Sequence, residues 1–169
     1  MIKIIITVGL ILRRLLCLLL LSSNGVALAV PATPTDEFID HGNGTVTHKI
    51  TGLMWKRCAE GQVWNGKTCT GTYATYTYDQ ALKITSTFGR HKNWRLPDIT
   101  ELSTIVAQEK SDPMINTTIF PEPPSTWFWT ASVSADYPYG AWNISFFNGD
   151  RHYDVKSEHF AVRLVRGGQ

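Results

Sequence analysis

Residues 93–101 read Asn93-Trp94-Arg95-Leu96-Pro97-Asp98-Ile99-Thr100-Glu101, and this stretch contains a change of backbone habit. Trp94 and Leu96 are two apart, so in an extended segment they face one way and Arg95 the other. Pro97 cannot continue a hydrogen-bonded strand and directs the chain into Asp98. Asp98 followed by Glu101 is a capping box: a short acceptor at the N-cap and a carboxylate three residues on that reaches back. The segment is therefore a strand-to-helix corner, with Trp94 and Leu96 in the core and Arg95 turned toward a carboxylate such as Glu101.

Downstream of the corner, Leu102, Ile105 and Val106 form the buried stripe of a helix whose outer limit is Asp112-Pro113. Upstream, Thr77-Tyr78-Asp79-Gln80 is a second capping box. Tyr78, Ala81, Leu82, Thr85 and Phe88 then fall on one face, and Gly89 closes the helix. Before these helices lies a hairpin, Phe38-Ile39-Asp40 and Thr45-Val46-Thr47-His48 around His41-Gly42-Asn43-Gly44. A short strand, Thr51 to Trp55, comes next. After the helices, the prolines of Pro121 to Pro124 mark a loop. Trp127 to Thr130, Ala141 to Phe146 and Ala161 to Val165 then read as antiparallel strands, with Asn148-Gly149-Asp150 as a turn. The expectation is an α+β domain with an N-terminal hairpin and two helices packed on twisted antiparallel sheets.

The chain opens with Met1-Ile2-Lys3, runs unbroken through apolar residues from Leu15 to Leu21, and reaches Ala27-Leu28-Ala29. A positive start, a short apolar core and an Ala-x-Ala site describe a secretory signal peptide over residues 1–29. The core is short of the roughly 20 apolar residues that a membrane span takes. Counted from Ile4 through Arg13-Arg14, an uncleaved anchor is the other reading, and membrane association would follow only from that. Residues 30–37, with Pro31 and Pro34, read as an extended tether, and 38–169 as one domain. The full chain has 16 Lys and Arg against 14 Asp and Glu. Removing the three cations of the signal leaves 13 against 14, which removes the case for a nucleic-acid ligand.

Beyond the signal only Cys58 and Cys69 remain. In an exported chain such a pair reads as a disulfide. A metal pair or a redox dithiol would want CxxC spacing or a nearby histidine.

Several segments together resemble the Lcl C-terminal domain family, named for the C-terminal region of a bacterial collagen-like adhesin. They are Phe38 to Thr47, Thr51-Gly52-Leu53-Met54-Trp55, Asn93 to Pro97 with Glu101-Leu102, Phe128 to Ser132, Ala141-Trp142 with Phe146 and Gly149, and Val162 to Arg166. The resemblance implies a C-type-lectin-like fold, similar also to formylglycine-generating enzymes. It implies a bacterial protein of the periplasm, the cell surface or the extracellular space, often an adhesin. It also implies that some relatives bind sulfated polysaccharides.

Catalysis is not expected. A formylglycine-generating type of enzyme needs a late reactive cysteine pair, and the five histidines show no HExxH spacing. No cofactor and no metal are expected either: Asn148, Asp150 and Asp154 supply too few oxygens for calcium, which takes six to eight. Trp129 and Trp142, inside apolar strands, read as core. Tyr137, Tyr139, Asp150, Arg151, His152 and Tyr153, in the late loops, are the candidate ligand-binding residues, with a solvated turn as the plain alternative. The functional expectation is an exported, non-catalytic binding module for a carbohydrate or surface macromolecule. The alternative is a structural or assembly component of the envelope, of a pilus or secretion apparatus, whose partner is another envelope protein.

Overall fold

A computed structural model of the chain describes residues 33–107 and 112–168. The expected signal peptide and the first part of the expected tether lie outside the described residues. In the rest of the tether Pro34 is extended, Thr35–Glu37 form a 3-10 turn, and Thr33 is buried, its carbonyl accepting from Asn116 Nδ2 at 2.8 Å.

β1 (Phe38–Asp40) and β2 (Thr45–His48) form the hairpin, in the register Phe38↔His48 and Asp40↔Val46. Its turn is fixed by polar side chains: Asp40 Oδ1 accepts from Gly42 N and Asn43 Oδ1 from Thr45 N. β3 (Met54–Lys56) joins β2, and the chain then enters a small disulfide-bonded ribbon of β4 (Val63–Trp64) and β5 (Cys69–Thr70). Cys58 and Cys69 are bonded, with Cα atoms 5.4 Å apart. β6 (Thr75–Tyr76) leads into α1 (Tyr78–Leu82), and α2 (Ile99–Ser103) comes after the corner. Last come β7 (Trp127–Trp129), β8 (Gly140–Ser145), β9 (Arg151–Val155), β10 (Phe160–Ala161) and β11 (Val165–Arg166).

These strands make three sheets, in the orders β1-β2-β3-β11, β6-β10-β7-β8-β9 and β4-β5. Every pairing is antiparallel except β10 with β7. The expected α+β, lectin-like arrangement of two helices packed on sheets is therefore corrected. The described chain is mostly β, and its two helices have five residues each.

Both helices start where the sequence placed them, with the two capping boxes formed. They stop early because the residues at and beyond their C-terminal ends oppose a longer helix. Ile84-Thr85-Ser86-Thr87 is a run of β-branched and hydroxyl residues, poor helix formers. In α2 the hydroxyls of Ser103 and Thr104 bond back to the carbonyls of Ile99 (2.5 Å) and Glu101 (2.7 Å), and Val106 then bridges Ile115. Ile105 and Val106 are buried as expected, but from beyond the helix.

The five-stranded sheet is covered on both faces. Strand alternation sends Phe128 and Ile144 into a core with Trp55, Leu102 and Phe146, and sends Trp129 and Ala141 into a second core with Tyr78, Trp94 and Leu96. Val162-Arg163-Leu164, read from sequence as part of one strand, instead carries the chain from this sheet to the other. All three residues are buried. Within that crossing the Arg163 guanidinium donates to the carbonyls of Lys56 (3.0 Å) and Arg57 and lies 4.8 Å from the Phe120 ring. Its burial, only partly offset by Glu60, lowers its pKa to about 9.

Candidate functional site

The corner at 93–101 is architecture. Trp94 and Leu96 are buried, and Arg95 forms a two-pronged pair with Glu101, at 2.7 Å from Nη1 to Oε2 and 2.6 Å from Nη2 to Oε1. Burial works against ionisation of Glu101. The hydrogen bonds from Arg95 and from the Asp98 backbone, with the Arg95 charge, outweigh it and hold the carboxyl below its ordinary range.

The candidate site sits on the hairpin of β8 and β9. Its turn is closed by Gly149 N donating to Ser145 O (2.8 Å) and Ser145 N to Asp150 O (2.9 Å). Arg151, His152 and Tyr153, expected in a loop, belong instead to β9, the edge strand of the five-stranded sheet. Their polar side chains hid the strand, because an edge strand needs little apolar surface.

That correction divides the six candidates. Side chains alternate along a strand, so Arg151 and Tyr153 share one face while His152 and Asp154 share the other. On the first face Tyr153 lies across from Trp142, ring centroids 5.4 Å apart, and 6.2 Å from Tyr137, whose carbonyl accepts its hydroxyl. A Cβ on Gly140 would come 2.2 Å from Tyr153 Cε1, so the ring rests directly on that glycine. Tyr137 is 68 % exposed and Tyr139 83 %. Their loop is tied to the end of β9 by Lys156, whose Nζ donates to Pro138 O (2.7 Å) and whose N donates to Tyr139 O (3.0 Å).

Two residues along the same face, Arg151 borders a cleft of about 470 Å³, with Asp150 of the preceding turn beside it. Its other wall is Ser103, Val106 and Met114, at and beyond the end of α2. Tyr137, Tyr153 and Arg151 thus lie along one face, with Asp150 beside Arg151 at the cleft, while Tyr139 is exposed at the base of the same loop. His152 is excluded: on the opposite face its Nδ1 meets Asp154 Oδ2 at 2.9 Å, and that oxygen also accepts from buried Asn143. Asp150 in the turn is bonded by Asn148, and Asp154 on β9 by Asn143.

Trp142, expected in the core, is half-buried and joins the tyrosine face. Ser103 and Lys156 were missed, since nothing in their local sequence ties them to residues 40 to 50 positions away or to a loop carbonyl.

Among the described residues no helix is long and apolar enough to cross a membrane. The disulfide fits an exported domain. No curated protein matches the chain. The model of the Lcl C-terminal domain matches residues 44–166, in keeping with a domain of a surface-associated protein. The match runs from the hairpin turn to the last strand and covers most of the sequence, and the chain is a member of the Lcl C-terminal domain family.

Proposed function

We propose that the protein is an exported, non-catalytic binding module that recognises carbohydrate through the tyrosine face of the β8–β9 hairpin. The observation that carries this reading is the ring cluster of Tyr137, Tyr153 and Trp142, beside the exposed Tyr139, on the strand face that Tyr153 shares with Arg151 of the cleft. Flat rings offer area to the C–H face of a sugar at little entropic cost, and a neighbouring polar cleft supplies hydrogen bonds to its hydroxyls. The strands beneath hold both in register.

The cleft offers no nucleophile with an adjacent base. Ser103 Oγ is committed to the Ile99 carbonyl, and His152 is on the far side of the sheet. Export is supported by the disulfide and by the signal-like N-terminus, and surface association by the family.

A glycan array tests the reading. Binding is expected for the native protein, is expected to be lost in Tyr137→Ala/Tyr139→Ala and weakened in Arg151→Ala, and is expected to survive His152→Ala. Array binding that ignores the tyrosines sinks the placement. A blank array together with co-purification of a defined envelope protein favours the assembly role instead.

A further inference from the structure

A second pocket, of about 270 Å³, opens between the disulfide-bonded ribbon and Phe88. Its walls are two aromatic rings, Trp64 and Phe88, and both close on Gly44: a Cβ there would sit 2.7 Å from Trp64 Cγ and 2.9 Å from Phe88 Cζ. The indole is fixed further by the Arg57 guanidinium, 4.5 Å from its ring and itself held by Asp40 (2.6 Å) and the Ile119 carbonyl (2.7 Å). Lys56 borders the same pocket, its side chain 9 % exposed and its Nζ 5.0 Å from the Phe88 ring. That ammonium donates to Glu60 Oε1 and Ser86 Oγ, both at 2.8 Å, and has no third hydrogen-bond acceptor among the described residues. The Trp64 indole N–H is shut off from solvent and has no acceptor among the described residues.

We infer that this pocket is a second binding site, built for one uncharged sugar residue. Charge argues against an ion: Lys56 is already matched by Glu60 at its side, so neither an anion nor a cation gains a net partner. An apolar guest would cover the Lys56 ammonium and the Glu60 carboxylate without pairing them, and unpaired buried polar groups are costly. A pyranose meets both demands. Its C–H face packs on Trp64 and Phe88, and its hydroxyls accept from Lys56 and donate to Glu60. The inference goes beyond the proposed function, because it holds whether the tyrosine face binds glycan or protein.

The test is an NMR titration of the ¹⁵N-labelled protein, following the Trp64 indole N–H, assigned with Trp64→Phe. The probes are the methyl glycosides of glucose, galactose, mannose and N-acetylglucosamine, each taken past about 10 mM, where a site of millimolar Kd is filled. At least one is expected to shift the Trp64 signal saturably. Glu60→Gln and Phe88→Leu are each expected to weaken that binding by about tenfold, the effect of losing one charge-assisted hydrogen bond or one aromatic wall. Tyr137→Ala/Tyr139→Ala leaves the Trp64 response intact, which separates this site from the tyrosine face. The inference is overturned if no probe moves the signal, if the shift ignores both pocket variants, or if the tyrosine variant abolishes it.

Discussion

Glu101→Ala removes one carboxylate and three hydrogen bonds at once: two from Arg95, at 2.7 and 2.6 Å, and one from Asp98 N, at 2.9 Å. Glu101 is 14 % exposed and Arg95 31 %, so the pair lies between a surface ion pair, worth at most about 1 kcal/mol, and a buried one, whose disruption costs about 3–5 kcal/mol. About 1.5–2 kcal/mol is a fair value for the pair, and the lost half of the capping box adds about 0.5–1 kcal/mol. Arg95 is not stranded by the change, because its Nη2 keeps the Gly167 carbonyl at 2.9 Å. The expected total is a loss of about 2.5 kcal/mol. With m near 2 kcal/mol/M in urea, the midpoint falls by about 1.2 M. The decisive measurement is the double-mutant cycle with Arg95→Met, where the coupling should be about 1.5 kcal/mol. Additivity to within about 0.5 kcal/mol refutes the assignment of the corner's strength to this pair. Acid titration gives a second reading. Because the folded carboxyl titrates below the ordinary glutamate range of about 4.3, its contribution is complete above that range and disappears as pH falls through the lowered folded value. The slope of stability against pH in that window should be shallower in Glu101→Gln.

Other consequences are as direct. Cys58→Ser/Cys69→Ser opens a loop of sequence separation 11, and chain entropy then gives a loss of about 3 kcal/mol; native protein under a reductant should show the same fall in Tm. Gly140→Ala drives a methyl group into the Tyr153 ring and 2.8 Å from the Asp154 carbonyl, so calorimetry should show a loss of about 1–3 kcal/mol, accompanied by weaker glycan binding. Arg163→Lys keeps the charge but gives up the guanidinium face over Phe120 and the reach of Nη1, which donates to both the Lys56 and Arg57 carbonyls; a loss of about 2 kcal/mol is expected, and unchanged stability would assign Arg163 no structural role. Tyr137→Ala/Tyr139→Ala should leave the urea midpoint almost unmoved while removing glycan binding, since both rings are exposed.

Local chemistry was legible in the sequence wherever partners are close along the chain. Asp98 with Glu101, Thr77 with Gln80, the Gly42–Gly44 turn and Arg95 with Glu101 all lie within six residues, and each forms as read. A capping box marks where a helix begins and says nothing of how far it runs. Ile84-Thr85-Ser86-Thr87 ended α1 and released Phe88 from the expected helix face to the wall of a pocket. β9 was hidden because Arg151-His152-Tyr153-Asp154-Val155 has the polarity of a loop, and only its pairing with β8 makes it a strand. The near-complete burial of Lys56, Arg57 and Arg163 was likewise not legible, since their partners at Ser86, Thr118 and Arg57 O are 30 to 106 positions away.

The crossing at 162–164 also sets a timetable. Val165 pairs with Trp55, and Ala161 is hydrogen-bonded between strands that include Thr75 and Phe128. Neither large sheet can be completed until residues 160–166 have been synthesised, because the chain's last strands are the ones that lock strands made far earlier. Contacts so distant in sequence also form slowly. Closure of both sheets therefore rests on one seven-residue stretch, and losing it would undo the two at once.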